Sequence, residues 1–160
     1  MANGLCTAPW GTQGIRFLLA AFGSIDILVI NAAFQMAQSQ GLEDITTEQF
    51  DRVMRTNLYG MFWLCTMFLP YIPEGGSIIN TTSVQAYKPS AHLLDYATTK
   101  GAIVTFTRGL AGNLAECGIR VNAVAPGPVW TPLIPATLPD TSRFGEQSPL
   151  RRPAQPGFTR

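Results

Sequence analysis

Apolar positions along the chain fall into two patterns. Three short runs, Ile27-Leu28-Val29-Ile30, Ser77 to Thr81 and Arg120 to Val124, are bounded by turn residues and rich in β-branched side chains. Such runs predict strands buried on both faces, as in a parallel sheet. Elsewhere the apolar residues recur at helical spacing. Phe50, Val53, Met54, Leu58, Met61, Phe62 and Cys65 line one face of a helix expected to run from the N-cap Thr46 to the neighbourhood of Pro70. Gln49, three residues after Thr46, is the expected capping-box partner. A second long helix is expected over 96–117, closed by Gly118 in the left-handed conformation. Gly101, Gly109 and Gly112 each weaken that helix by ~1 kcal/mol relative to Ala, so close approach of another backbone is expected there. A short helix over 15–22 would end at Gly23.

Strands alternating with long helices predict an α/β fold with right-handed crossovers and a parallel sheet. In such sheets ligands bind at the carboxyl ends of the strands. Here those ends carry Asn31, Ser83 and the turn from Pro126 to Thr131, which should line one edge. Residues 1–14 show no clear period and read as an irregular lead-in. Residues 15–153 form the body, and 154–160 a tail.

Composition narrows the function. Of 160 residues, 46% are apolar and 13% charged, which suits a packed interior. A net charge of +1 and the absence of any basic run argue against nucleic acid or an anionic membrane as partner. The apolar stretch at 61–72 is interrupted by Pro70 and followed by Pro73, short of the ~20 residues of a membrane span. A soluble, cytoplasmic protein is expected. Cys6, Cys65 and Cys117 are widely spaced and odd in number, so buried, inert thiols are expected, with neither a zinc site nor a disulfide framework.

The sharpest chemical signal is Tyr96 followed by Lys100. Residues four apart share a helix face. A phenol titrates near ~10, and a nearby ammonium is expected to lower that value and make the tyrosine a usable acid/base. Ser83, thirteen residues before Tyr96 at a strand end, is placed to hydrogen-bond the same substrate oxygen. Asn57 sits inside the first long helix, where an amide has poor propensity and needs partners. A water held there would link Lys100 to solvent as a proton relay.

Taken together these residues resemble the classical short-chain dehydrogenase/reductase family, over about Phe22 to Pro153. Asp26-Ile27-Leu28-Val29-Ile30-Asn31-Ala32-Ala33 is similar to that family's D-x-L-V-N-N-A-G strand end. Asn57, Ser83, Tyr96 and Lys100 fall where its catalytic Asn, Ser and Tyr-x-x-x-Lys lie. Arg120 to Val129 is similar to its last strand-to-loop turn, with Thr131 where a Thr meets the nicotinamide amide. The resemblance implies a Rossmann-like, doubly wound parallel sheet and hydride transfer between NAD or NADP and a small alcohol or carbonyl substrate. It implies Tyr96 as acid/base, Lys100 as its tuner and ribose ligand, Ser83 as carbonyl-orienting group and Asn57 as relay support. Asn31, Ala32, Ala33, Pro126, Gly127, Val129 and Thr131, with Tyr96 and Lys100, would hold the nicotinamide end. Ile30 and Ala33 depart mildly from the N-N-A-G pattern.

A larger departure is the family's opening strand and T-G-x-x-x-G-x-G turn, which has no counterpart here. Gly11-Thr12-Gln13-Gly14 is the nearest substitute, and no apolar strand precedes it. The fold is therefore expected to be partial, without the N-terminal βαβα unit and the last strand, and with open, association-prone sheet edges. Activity is then in question, and a second reading is an inactive interaction subunit. In this family the helices over 47–70 and 96–117 commonly build a dimer interface, which implies a homo-oligomer or docking onto a complete homologue. A third reading, a hydrolase using Ser83, His92 and Asp95, lacks the G-x-S-x-G elbow. Gln85, Trp130 and Leu133 are weaker candidates for facing substrate, and 126–153 is expected to be a flexible substrate lid.

Overall fold

The computed structural model describes residues 12–38 and 41–158. The expected irregularity of residues 1–11, the thiol of Cys6 and the end of the tail at 159–160 lie outside the described residues. Chain order is α1 (Thr12–Phe22), β1 (Ile27–Ile30), α2 (Thr47–Met54), a π turn (Arg55–Tyr59), α3 (Gly60–Phe68), β2 (Ser77–Thr81), α4 (Leu94–Leu114), β3 (Arg120–Val124) and α5 (Leu133–Thr137), with short 3₁₀ turns between. Helix α1 opens at Thr12, so Thr12, Gln13 and Gly14 form its first turn instead of a loop.

The three strands form one parallel sheet in the order β1-β2-β3. Leu28 pairs with Ile78 and Ile78 with Val121, so these side chains share a face with Ile30. That face carries the core, in which Ile30, Ile78 and Val121 pack with Met61, Cys65, Ile103 and Leu114 from the helices. Burying an aliphatic chain of this size is worth ~1.5–3 kcal/mol, so this face supplies most of the cohesion. Most of the opposite face is exposed among the described residues, with Ile27 61%, Val29 59% and Val124 50% exposed, so the strands are not buried on both faces as the sequence predicts.

The helix boundaries have local causes. Thr46 is extended and its hydroxyl accepts from the Gln49 amide, as expected of an N-cap. The reciprocal half of the capping box does not form, because the Gln49 side chain is drawn to Asp95, 2.8 Å away. Helix α4 runs through a 3₁₀ turn into Gly118 at φ 68°, the left-handed cap read from the sequence. The Gly118 carbonyl then accepts from the Gly75 amide and ties the helix end to the turn before β2.

Three further expectations need correction. A Cβ at Gly101, Gly109 or Gly112 would meet nothing within 4 Å, so among the described residues no backbone of this chain makes the close approach expected there. Cys65 is buried, but Cys117 is exposed in the 3₁₀ turn beyond α4, where no element covers it. The 126–153 segment is a fastened strap more than a loose lid. Val129 bridges Ala154, the Trp130 amide donates to the Ala154 carbonyl, and Trp130 meets Phe144 at 6.0 Å. The tail is thus anchored at Ala154. Among the described residues, no helix is long and apolar enough to cross a membrane.

Candidate active site

The carboxyl ends of the strands converge as expected. The Thr81 hydroxyl donates to Asn31 Oδ1 at 3.1 Å, joining the ends of β1 and β2. The Thr82 amide donates to the Val124 carbonyl and the Val84 amide to the Pro126 carbonyl, joining β2 to the turn after β3. Ser83 lies between those two bonds, buried and extended, its hydroxyl accepting from the Gln85 amide.

Helix α4 brings Tyr96 and Lys100 to this edge. The Ser83 side chain lies beside the Tyr96 phenol, close enough to favour its ionised form. Lys100 is 2% exposed and its Nζ donates to the Thr81 carbonyl at 2.7 Å. The same nitrogen lies 5.4 Å from the centroid of the Tyr96 ring. The Thr82 hydroxyl bonds the Lys100 carbonyl at 2.7 Å, so strand end and helix are stapled from both sides.

The electrostatics differ from the sequence expectation. Burial pushes the Lys100 ammonium down to about 8. Burial raises the Tyr96 phenol above its ordinary value, and the Ser83 side chain opposes that rise without overcoming it. Desolvation governs the phenol in place of the lowering expected from the ammonium, because burial penalises the charged form. Tyr96 is therefore a protonated acid at neutral pH.

Asn57 occupies the π turn between α2 and α3 and is 2% exposed. Its Oδ1 accepts from the Phe34 amide at 2.7 Å, and its Nδ2 donates to the Phe34 carbonyl at 2.9 Å and to Thr99 Oγ1 at 3.0 Å. Thr99 in turn donates to the Tyr96 carbonyl at 2.7 Å. Asn57 thus fastens the loop after β1 to the helix carrying Tyr96. None of its own hydrogen bonds reaches Lys100 directly. A π turn adds a residue to one helical turn and recurs at functional sites.

Asn31 and Ala32 are exposed and Ala33 half-buried at the end of β1. Pro126 and Gly127 are exposed on the neighbouring turn. Val129 and Thr131 lie further along, half-buried, with Val129 committed to the strap and the Thr131 carbonyl to the start of α5. Gln85 is engaged in holding its own loop, its Oε1 accepting from the Ser90 amide at 2.7 Å. Trp130 and Leu133 belong to the strap. The hydrolase reading is not assembled: His92 Nδ1 meets the Gln38 carbonyl at 3.0 Å, while Asp95 serves Tyr96, Gln38 and Gln49.

Sequence reasoning missed Gln35, Gln38 and Thr99, and read Gln49 as a capping-box partner without its bond to Asp95. Gln35 Nε2 donates to Thr137 Oγ1 at 3.1 Å and fastens α5 to the loop after β1. The available signal for Thr99 was its place three residues after Tyr96 on the same helix face. The glutamines lie in a polar loop and a helix start, where nothing distinguishes them from surface residues.

A nicotinamide dinucleotide fits this edge at one end only. The Asn31–Ala32 and Pro126–Gly127 turns are exposed at the sheet edge that carries Tyr96 and Lys100. The pyrophosphate needs a strand, a glycine turn and a helix N-terminus. Thr12 to Gly14 form a helical turn, and the described residues offer no alternative. The described residues also hold no His, Cys, Asp and Glu group able to bind a metal ion.

A parallel sheet with a Ser–Tyr–Lys cluster at its carboxyl edge defines an α/β protein of the dinucleotide-binding, Rossmann-like class. A family model described as Enoyl-(Acyl carrier protein) reductase matches residues 12–157. The chain belongs to the short-chain dehydrogenase/reductase family. It is 56% identical over 138 residues to the NADPH-dependent aldehyde reductase 1, chloroplastic, of Arabidopsis thaliana, covering 85% of this chain and 48% of that protein. It is 54% identical over 138 residues to the glucose and ribitol dehydrogenase of Daucus carota, covering 85% and 47%. The crystal structure of a 3-ketoacyl-(acyl-carrier-protein) reductase from Brucella melitensis complexed with NADH superposes with a TM-score of 0.81 at 31% identity, covering 91% of this chain and 60% of that one. The chain spans about half the length of the curated relatives it matches. These relatives are named as oxidoreductases, and nothing in them supports the inactive-subunit reading.

Proposed function

We propose that this chain is the proton-handling half of an NAD(P)-dependent oxidoreductase acting on small alcohols or carbonyls. The observation that carries the reading is the convergence of Ser83, Tyr96 and the buried Lys100 at one sheet edge, with the Lys100 Nζ 5.4 Å from the centroid of the Tyr96 ring. Tyr96 is the acid: protonated at neutral pH, it gives its proton to the substrate oxygen as a carbonyl becomes an alcohol. Ser83 holds that oxygen against the phenol. Lys100 keeps a cationic donor behind the site, and Asn57, through Thr99, fixes the helix that carries Tyr96. Bound nicotinamide would supply or accept the hydride. Asn31, Ala32, Ala33, Pro126, Gly127, Val129 and Thr131 are the residues available to its nicotinamide end, whether NADH or NADPH. A relative named for NADPH and a structural neighbour holding NADH support either cofactor.

Self-association through 47–70 and 96–117 belongs to the same reading. Tyr59, Phe62 and Trp63 are about half exposed on α3 and its π turn, which favours a covered helix face in the working protein.

The test is titration of the chain with NADH and NADPH, followed by oxidation of the reduced cofactor in the presence of an aldehyde or aldose. Tyr96→Phe should leave cofactor binding within about three-fold and lower turnover by about 10²–10⁴-fold, the usual contribution of a positioned acid. Turnover that survives Tyr96→Phe, or a wild-type chain that binds neither cofactor, would overturn the proposal.

A further inference from the structure

Asp95 stands immediately before Tyr96 and is 1% exposed. A carboxylate so deeply buried ordinarily has a cation beside it. Among the described residues Asp95 has none; its partners there are neutral N–H groups from three directions. Oδ1 accepts from the backbone amide of Tyr96 at 2.7 Å and from Gln38 Nε2 at 3.4 Å. Oδ2 accepts from Gln49 Nε2 at 2.8 Å. The Tyr96 amide is one of the first-turn donors that a helix leaves without an internal partner. The Asp95 carboxylate also sits at the positive end of a 21-residue helix.

The three donors come from different elements. Gln49 is on α2, Gln38 is on the loop after β1, and Tyr96 is the acid itself. Gln38 is held in turn by His92: its amide donates to the His92 carbonyl at 2.9 Å and its carbonyl meets His92 Nδ1. The Gln38 side chain also donates to the Met36 carbonyl. We infer that Asp95 is a positioning residue for Tyr96. Its buried carboxylate pins the first turn of α4 to α2 and to the loop after β1, and so sets the phenol against Ser83. The inference rests on the proposed role of Tyr96 and extends it to a residue that touches no reacting atom.

The role is geometric, which separates Asp95→Ala from Asp95→Asn. An amide at position 95 still offers an oxygen to the Tyr96 N–H. Gln49 can turn its own amide over and present oxygen to the new NH₂ group. Asp95→Ala removes the acceptor altogether. A misplacement of about 1 Å lowers rates by about 10²-fold. Asp95→Ala is therefore expected to lower kcat by about ten- to a hundred-fold, with KM within about three-fold and a melting transition still cooperative. Asp95→Asn should recover to within about three-fold of wild type. A folded Asp95→Ala with wild-type kcat, or an Asp95→Asn as damaged as Asp95→Ala, overturns the inference. If Asp95→Ala does not fold, Gln49→Leu decides: a several-fold fall in kcat at constant KM supports the lock, and an unchanged kcat overturns it.

A second readout is independent of turnover. Hydrogen exchange at the Tyr96 backbone amide should be slow in the wild type and accelerated in Asp95→Ala, or in Gln49→Leu if the former is unfolded. Unaltered exchange overturns the lock. A wild-type chain with no turnover but a protected Tyr96 amide would instead sink the proposed function and leave the lock standing.

Discussion

Asn57→Ala tests how much of the site depends on a single amide. The substitution deletes the bonds to the Phe34 amide at 2.7 Å, the Phe34 carbonyl at 2.9 Å and Thr99 Oγ1 at 3.0 Å. Each such bond contributes about 1 kcal/mol net, so the loss is about 3 kcal/mol. Alanine's better helix propensity returns a few tenths of a kcal/mol. At ~2–4 °C per kcal/mol for a domain of this size, Tm should fall by about 5–12 °C. Circular dichroism melts and urea titrations at constant m-value measure it. Asn57→Asp sharpens the test. A carboxylate still accepts from the Phe34 amide but cannot donate to the Phe34 carbonyl or to Thr99, and it places a charge beside a carbonyl oxygen. It should be at least as damaging as Asn57→Ala. Thr99→Val, which removes one of the three bonds, should cost about 1 kcal/mol and be non-additive with Asn57→Ala. A Tm within 2 °C of wild type for Asn57→Ala, or a fully stable Asn57→Asp, would show that these bonds do not hold the π turn, and the account of the site would fail with them.

Lys100 makes a pH signature in the stability. Its folded pKa of about 8 lies below the ordinary 10.5, so burying the ammonium destabilises the fold at low pH and that penalty is relieved as pH rises from about 8 towards 10.5. Cys65 acts in the opposite sense above pH 9, because its thiol is raised from 9.0 to about 11 by burial. Between pH 8 and 9 the wild type should therefore gain about 1 kcal/mol, while Lys100→Met stays flat. Equal slopes in the two would refute the burial argument. Gly145 adopts φ 88°, and a Cβ there would come within 2.5 Å of the Pro153 nitrogen. Gly145→Ala should open the strap, seen as trypsin cleavage at Arg143 and Arg151 about ten-fold faster than in the wild type. An unchanged cleavage rate would mean the strap is not closed at that point.

What could be read in the chain follows the reach of each signal. The strands were legible because β-branched runs favour extended backbone, even where Ile27, Val29 and Val124 are left exposed, and the left-handed cap at Gly118 because glycine alone takes that conformation freely. Ser83, Tyr96 and Lys100 were legible because one helical turn puts Tyr96 and Lys100 on a common face and the strand end meets it. The π turn was not, since it answers to bonds between Asn57 and Phe34, twenty-three residues away. Gln49 was misassigned for the same reason: a buried carboxylate from α4 outbids the local capping box. The direction of the Tyr96 shift was also missed, because the spacing to Lys100 is written in the sequence and the depth of burial is not.

The exposed sheet face bears on why the cluster keeps its geometry at all. Leu28, Ile30, Ile78 and Val121 anchor the helices on one side of the sheet. Every lock described for Tyr96 lies on the helix side or at the carboxyl edge: Ser83 on the phenol, Asn57 through Thr99, Asp95 to α2 and Thr82 to Lys100. None uses Ile27, Val29 or Val124, whose side chains point the other way and are half exposed or more. The proton handling proposed above and the gripping of a dinucleotide thus draw on different parts of this architecture. The first is set by helices packed on one face, and the second needs a glycine turn that no described residue supplies. A change that covers or strips the exposed face should alter solubility well before it disturbs the placement of Ser83 beside Tyr96.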